Sequence, residues 1–362
     1  MRARWSAAGS AADANRPAGP GDGDPAGDAG FSLLAVRRII DPVLTVRLAL
    51  APGDQPLVAA GDQVVAGSAL ARRLREPMIR RAGRVGRGER AAVAPRPGQR
   101  WAPEPGAGID PNLAGEYLFE LDGRWRVIAG EIADPLEAPV DGIVTSVSGG
   151  AGISLATTAS GVLGSTVLGG PTRGRLAIAA TPGGELRASA IDVGRAGEIL
   201  VVGARIDAEA LTRARAMGVR GVVVGAMPSK ERRDFMASEA RQRASRQRLP
   251  PFAVLVLDGT LRRPISSPVM AILEALEGLD VGIVVDPACL AFEVAGDAPA
   301  LPVPPTDLVR IRAGALAGAE GRWAGMAGPR RFPGGVWLET GRVELDGGET
   351  ISVPLGDLER FA

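Results

Sequence analysis

The hydrophobic pattern of this chain changes character several times along its length. Residues 1–30 carry Ala, Gly, Pro and Asp without apolar periodicity, which predicts a disordered tail that cannot bury enough surface to offset chain entropy. From Phe31 onward come short alternating runs such as Leu44-Thr-Val-Arg-Leu-Ala-Leu50, a strand pattern ended by the turn Pro52-Gly-Asp54. Residues 58–71 follow V-x-x-G-D-x-V-x-x-G-x-x-L, with Gly61 and Gly67 at turns and Val64 and Leu70 pointing inward. Residues 72–111 are basic and rich in Gly and Pro, a loop whose arginines, Arg80 to Arg90 among them, are read as solvated, with an RNA-contacting arm as the alternative. Tyr117–Leu121 and Trp125–Ile128 predict a hairpin turned by Asp122-Gly123. Residues 161–186 read as a Gly/Thr/Ser-rich connector with short strands.

The pattern then turns α/β. Apolar strands are predicted at 199–202, 222–224, 252–257 and 281–285. Between them lie helices: one from the N-cap Asp207 to Met217 with Gly218 as C-cap, one over 229–247, and one from Ser267-Pro268 to Glu277. This order implies βαβ units in a small doubly wound or swivelling-type sheet. Leu301-Pro-Val-Pro-Pro305 reads as a semi-rigid linker, and beyond it short strands resume to the C-terminus.

Composition narrows the chemistry. With 46% hydrophobic but only 4% aromatic residues, the core must be aliphatic. The 362 residues contain no histidine, which removes Ser-His-Asp and Cys-His catalysis and the usual zinc sites. The lone cysteine, Cys289, precludes an internal disulfide and is read as buried and inert. Net charge is +1, so no global field draws in nucleic acid or anionic membrane. No apolar stretch is long enough for a membrane span, and a cytoplasmic location is expected.

Other constellations carry little. Leu257-Asp-Gly-Thr-Leu261 has part of the haloacid-dehalogenase nucleophile pattern, but Val256 stands where the nucleophilic aspartate belongs. Gly225-Ala-Met-Pro-Ser-Lys230 lacks the second glycine of a phosphate cradle, and Ser229 reads as an N-cap. Asp134, Glu137 and Asp141 cluster near one turn and are read as turn and solvent residues. Neither a catalytic residue nor a cofactor nor a metal is expected.

Two resemblances organise the rest. Ala138-Pro-Val-Asp-Gly-Ile-Val144, with the G-D-x-V-x-x-G segment, resembles a biotinyl/lipoyl-type barrel-sandwich hybrid. Carriers of that family hold their group on a lysine, and the single lysine here, Lys230, lies outside the segment. The resemblance therefore implies a spacer or docking module. The C-terminal segment resembles a KOW-type SH3-like barrel: Val309-x-Ile311-x-x-Gly314, then Gly318, Gly321 and Trp323, closing on Val-Pro-Leu-Gly-Asp-Leu-Glu359. The order of modules is similar to an uncharacterised bacterial family of KOW-containing proteins, although Asp258-Gly-Thr-Leu stands where that family has an acidic-aromatic motif.

The expected architecture is thus multidomain α+β. A tail at 1–30 precedes a β-rich barrel-sandwich-like domain at 31–190, an α/β domain at 191–298 with a small parallel sheet, a linker at 299–305 and a C-terminal barrel at 306–362. KOW barrels contact RNA or protein, and the resemblance makes Arg322, Trp323, Arg330, Arg331, Phe332 and Trp337 the candidate binding face, with Gly314, Gly318 and Gly321 at the turns. The expected function is a non-catalytic scaffold or adaptor binding a protein partner. The alternatives are an RNA- or DNA-associated factor in transcription or translation, and a small-molecule-sensing or enzymatic α/β domain.

Overall fold

A computed structural model describes residues 25–39, 44–50, 54–74, 78–81, 100–101, 115–121, 124–129, 133–148, 152–244, 251–293 and 301–362. The chain is mixed α+β, dominated by strands in several sheets with few helices. It divides into two compact units: residues 1–37 with 305–361, and residues 38–304 with 362. The expected tail 1–30 lies outside the described residues up to position 24.

The larger unit is built on an eight-stranded sheet. Four strands run parallel in chain order, Thr172–Ile178, Glu198–Val201, Gly221–Val224 and Ala253–Val256. Next to Thr172–Ile178, antiparallel, lie Asp280–Val284 and then Cys289–Phe292. The strands are almost continuous apolar runs because both faces are covered. On one face Leu200, Val222, Val224, Val254 and Val256 pack with Ala210, Leu211, Ala214 and Phe235 of the helices Ala208–Ala216 and Ser229–Ala244. Strand order advances in one direction through the parallel set. After Ala253–Val256 the chain returns through the helix Ser267–Ala275 to place Asp280–Val284 on the far side of Thr172–Ile178.

What closes this sheet is a segment expected to be a connector. Ser160–Leu163 pairs with Cys289–Phe292 at one edge, and Thr166–Gly169 pairs with Ala253–Val256 at the other. The two halves are joined at 164–165, where the Gly164 N–H donates to Ala288 O and the Ser165 N–H to Val256 O, 2.9 and 2.8 Å. One ten-residue segment therefore takes up both edges and curls the sheet on itself. The corner requires glycine: a Cβ at 164 would stand 2.6 Å from Leu255 Cδ1 and 2.8 Å from Val256 O. The α/β architecture accordingly begins at 160, and the boundary near 190 is corrected.

Residues ahead of it form smaller sheets. Leu44–Leu48, Gly152–Thr157, Gly142–Ser148 and Gln63–Val64 make one, and Ala133–Glu137, Ala69–Leu74 and Gln55–Pro56 another. Both contribute to one core with Leu44, Val46, Leu48, Val64, Leu70, Val144 and Leu155, to which Val284, Cys289 and Ala291 of the closed sheet add their side chains. Val64 and Leu70 point inward as their spacing requires, and Cys289 is buried there. The Arg/Gly/Pro stretch 72–111 includes the strands Met78–Arg81 and Arg100–Trp101, in a sheet with the hairpin Gly115–Leu121/Arg124–Ala129. Arg75, Arg84, Arg87, Arg90 and Arg96 lie outside the described residues.

The smaller unit is one sheet in the order Ala35–Arg37, Leu358–Phe361, Leu308–Ile311, Glu320–Arg331, Trp337–Leu345, Thr350–Pro354. Its core is Leu34, Val309, Ile311, Val343, Val353 and Leu358. The expected boundaries are corrected here as well. Pro25–Ser32 is a helix, and Ala35–Arg37 adds to the sheet parallel to Leu358–Phe361. Residues 25–37 therefore complete the C-terminal sheet instead of ending a tail and opening a barrel-sandwich domain. Small side chains allow it: a Cβ at Gly30 would lie 2.3 Å from Met326 Sδ, so the helix reaches the sheet only because none is there. Phe31 then packs on Trp323 at 6.0 Å between ring centroids, and the Arg360 guanidinium lies over the Phe31 ring, 5.3 Å from its centroid.

Candidate interaction surface

The sheet of the smaller unit continues beyond its core as a two-stranded ribbon. Gly328 to Arg331 pairs with Trp337 to Thr340, in the register Gly328–Thr340, Pro329–Glu339, Arg330–Leu338 and Arg331–Trp337. At about 3.4 Å per residue this projects roughly 10 Å, before the connecting residues 332–336. Two irregularities in register, between Trp323 and Met326 and between Met326 and Gly328, set the ribbon off from the sheet. Gly325 and Gly328 supply the left-handed backbone there, φ 94° and 76°.

The ribbon exposes apolar side chains. Trp337 is 65% exposed, Val336 54% and Leu338 40%. Arg330 and Arg331 are exposed and Phe332 is half-buried. Arg331 sits across from Trp337, and its guanidinium bends over the connecting turn, Nη2 3.5 Å from where a Gly335 side chain would begin. Alternation puts Trp337 and Glu339 on one face of the ribbon with Arg331, and Leu338 on the other with Arg330. Thr340 anchors the base, its hydroxyl donating to Gly328 O at 2.7 Å.

The sequence-derived binding face is thereby split. Arg330, Arg331, Phe332 and Trp337 come together on the ribbon. Trp323 does not join them: it lies half-buried against the core, and a Cβ at Gly341 would stand 2.1 Å from its ring. Arg322 is exposed elsewhere on the strand, 4.0 Å from Asp307. Gly314 and Gly318 sit at positive φ in the turn after Leu308–Ile311, and the Gly318 N–H donates to Ile311 O at 2.8 Å. Gly321 is buried where the next strand passes 2.4 Å from its missing Cβ. Val336 and Leu338 were missed. The signal was present, because three successive apolar residues at 336–338 put side chains on both faces of a strand flanked by Gly-Gly and Glu.

The same unit holds a buried charge cluster. Glu359, 6% exposed, faces Arg310 at 3.5 Å, Arg312 at 3.7 Å and Arg37 at 3.9 Å, and Arg310 is 1% exposed. The Glu of the Asp-Leu-Glu ending therefore serves as the shared counter-ion that lets arginine lie inside the sheet.

Elsewhere the geometry is closed. The carboxyl ends of the parallel strands, where open α/β sheets bind ligands, are bonded to one another. Gly225 N–H donates to Gly203 O, Asp258 N–H to Gly225 O and Met227 N–H to Gly259 O, at 2.7–2.9 Å. Arg263 lies buried against Asp258 and donates to its carbonyl at 3.0 Å. Ser229 is the first residue of its helix, not its cap, and Ser266 instead of Ser267 holds the N-cap position of the last helix, without a side-chain cap hydrogen bond. A cleft of about 570 Å³ within the larger unit is lined by Val65, Pro139, Asp141, Arg173, Asp280 and Glu293. Its charges serve local structure: Asp141 accepts from the Ala66 N–H at 2.6 Å and donates its own N–H to Glu293, and Arg173 pairs with Asp280 at 3.2 Å. Among the described residues no helix is long and apolar enough to cross a membrane. No family model, curated protein or solved structure matches the chain.

Proposed function

We propose that this protein is a non-catalytic, cytoplasmic adaptor whose C-terminal unit is an SH3-like barrel of the KOW type and docks a protein partner through its projecting ribbon. The exposed run Val336–Leu338, flanked by Arg330 and Arg331, carries this reading. Water-exposed apolar side chains gathered at one tip are the ordinary mark of a contact surface.

The barrel reading is supported by the meander from Leu308 to Pro354, the 3-10 turn Leu355–Asp357, and the return of Leu358–Phe361 beside Leu308–Ile311. The paired small sheets over 44–157, sharing one core, support a barrel-sandwich module serving as a spacer. Protein is favoured over RNA or DNA by charge: residues 306–362 hold seven arginines against eight carboxylates, whereas binding to phosphate backbones rests on a positive surface.

Photo-crosslinking tests the reading. Benzoylphenylalanine replacing Trp337, in extract of the source cells, is expected to yield a discrete, ribonuclease-resistant protein adduct. The same group replacing Gly347, on a turn away from the ribbon, is the control. A nuclease-sensitive adduct, or none beyond the control, overturns the proposal.

A further inference from the structure

The strand Trp337–Leu345 outlasts its neighbour. Thr350–Pro354 pairs with Glu344 back to Thr340 and stops, because the chain turns into Leu355–Asp357. Pro354 ends that strand, and a proline has no N–H with which to extend a ladder. Among the described residues no strand lies along the outer edge of 337–339. The Phe332 N–H donates to Val336 O at 2.8 Å. Counting the antiparallel alternation from that pair, the main-chain N–H and C=O groups of Trp337 and Glu339 point outward. The ribbon thus offers a short row of donors and acceptors, with large apolar side chains on both of its faces.

Natural sheets usually protect such edges with charge, proline or a covering segment. Here the edge residues are Trp, Leu and Glu, and the charges of the ribbon are two arginines on the inner strand against Glu339. Arg331 lies on the Trp337 face and Arg330 on the Leu338 face. A strand laid along the edge would therefore meet an arginine within side-chain reach on either face, beyond an apolar contact. The complementary ligand is an extended segment carrying carboxylates and apolar side chains.

We infer that the outer edge Trp337–Glu339 takes an acidic, extended peptide segment of a partner as an added β-strand, with Arg330 and Arg331 reading its carboxylates. This rests on the docking role proposed above and specifies the partner's chemistry. Strand addition draws affinity from main-chain hydrogen bonds and specificity from side chains.

The test uses the full chain and fluorescent nine-residue peptides in which Asp or Glu alternates with Val, Ile, Leu or Tyr. Binding is read by anisotropy at low salt. The acidic pool is expected to bind with a dissociation constant tighter than about 1 mM, and a pool with Lys at the acidic positions at least about tenfold more weakly. Glu339→Pro removes an outward N–H at an edge where proline is tolerated and is expected to weaken binding about tenfold or more without lowering the melting temperature. Arg330→Glu with Arg331→Glu is expected to do the same. Acidic peptides N-methylated on alternate amides need no change in the protein and are expected not to bind.

No binding of the acidic pool, equal binding of the lysine pool, or equal binding of the N-methylated peptides overturns the inference. So does a dimer in sedimentation that Glu339→Pro dissociates, since a second copy would then be the occupant. The two proposals fail separately. A protein adduct at position 337 that survives Glu339→Pro keeps the docking role and removes strand addition, whereas absence of any adduct without that substitution removes both.

Discussion

The two sheets at the centre of each unit solve the same problem in opposite ways. The sheet of the larger unit spends residues 160–169 on covering both of its outer strands, so that Cys289–Phe292 and Ala253–Val256 are paired on both sides. The sheet of the smaller unit borrows Ala35–Arg37 to cover one edge, then lets a ribbon run past the last covering strand. Closed pairing leaves nothing for a partner to join. The open ribbon retains exposed main-chain groups and apolar side chains along its outer edge. On the reading proposed above, the difference separates a structural sheet from an interacting one without reference to any catalytic group.

That contrast can be broken most severely at the buried charge of the smaller unit. Glu359→Ala leaves Arg310 buried without its principal counter-ion, and a loss of about 3 to 5 kcal/mol is expected from the urea-unfolding midpoint. The double change Arg310→Met with Glu359→Leu should recover most of it; a double variant as unstable as Glu359→Ala would show that the cluster is not the reason. In the larger unit, Gly164→Val attacks the corner that closes the sheet. It should cost about 3 kcal/mol through overpacking against Leu255 and Val256, whereas Gly170→Val, at a site with no atom within 4 Å of a new Cβ, should cost far less. Similar losses at both positions would argue against closure at the corner.

The borrowed segment should matter less. Phe31→Ala removes its packing on Trp323 and the Arg360 guanidinium above it, and a fall of about 1 to 2 kcal/mol in the unfolding of the smaller unit is expected. An unchanged midpoint would mean that residues 25–37 do not hold the sheet. The smallest effect on stability sharpens the comparison most. Trp337→Ala should change stability by less than about 0.5 kcal/mol, as exposed positions do, while Trp323→Ala costs about 3 kcal/mol. If both variants fold alike and only Trp337→Ala loses the partner, the two tryptophans have the roles assigned to them.

Those tryptophans also show how far the sequence could be read. Both occupy strand patterns rich in glycine and arginine, and both were reasonable members of a binding face. Nothing within a few residues of Trp323 says that Gly341 and Gly30 leave the space its ring fills, because those glycines are 18 and 293 positions away along the chain. By contrast, Asp207 was legible as a helix cap, and its carboxylate accepts the Ala210 N–H at 2.7 Å, because capping is decided within four residues. Arg330, Arg331 and Trp337 were legible as a group because they flank a single turn. The shared Glu359 cluster was not, since its arginines come from two distant places, position 37 and positions 310 and 312, and Glu359 from a third.

What the sequence determined by itself is local: the alternation that buries Leu44, Val46 and Leu48, the turns at Gly314 and Gly318, and the helices between the parallel strands. Each follows from a side-chain period or a backbone preference within a few residues. The tertiary structure alone decided that 160–169 closes a sheet instead of linking two domains, that residues 25–37 belong with residues 305–361, and that three apolar residues at 336–338 stay in water. The physical reason is that a strand's period states which of its faces is apolar, whereas its partner is whichever strand the rest of the chain brings alongside. Whether an edge ends paired or open is settled by that meeting.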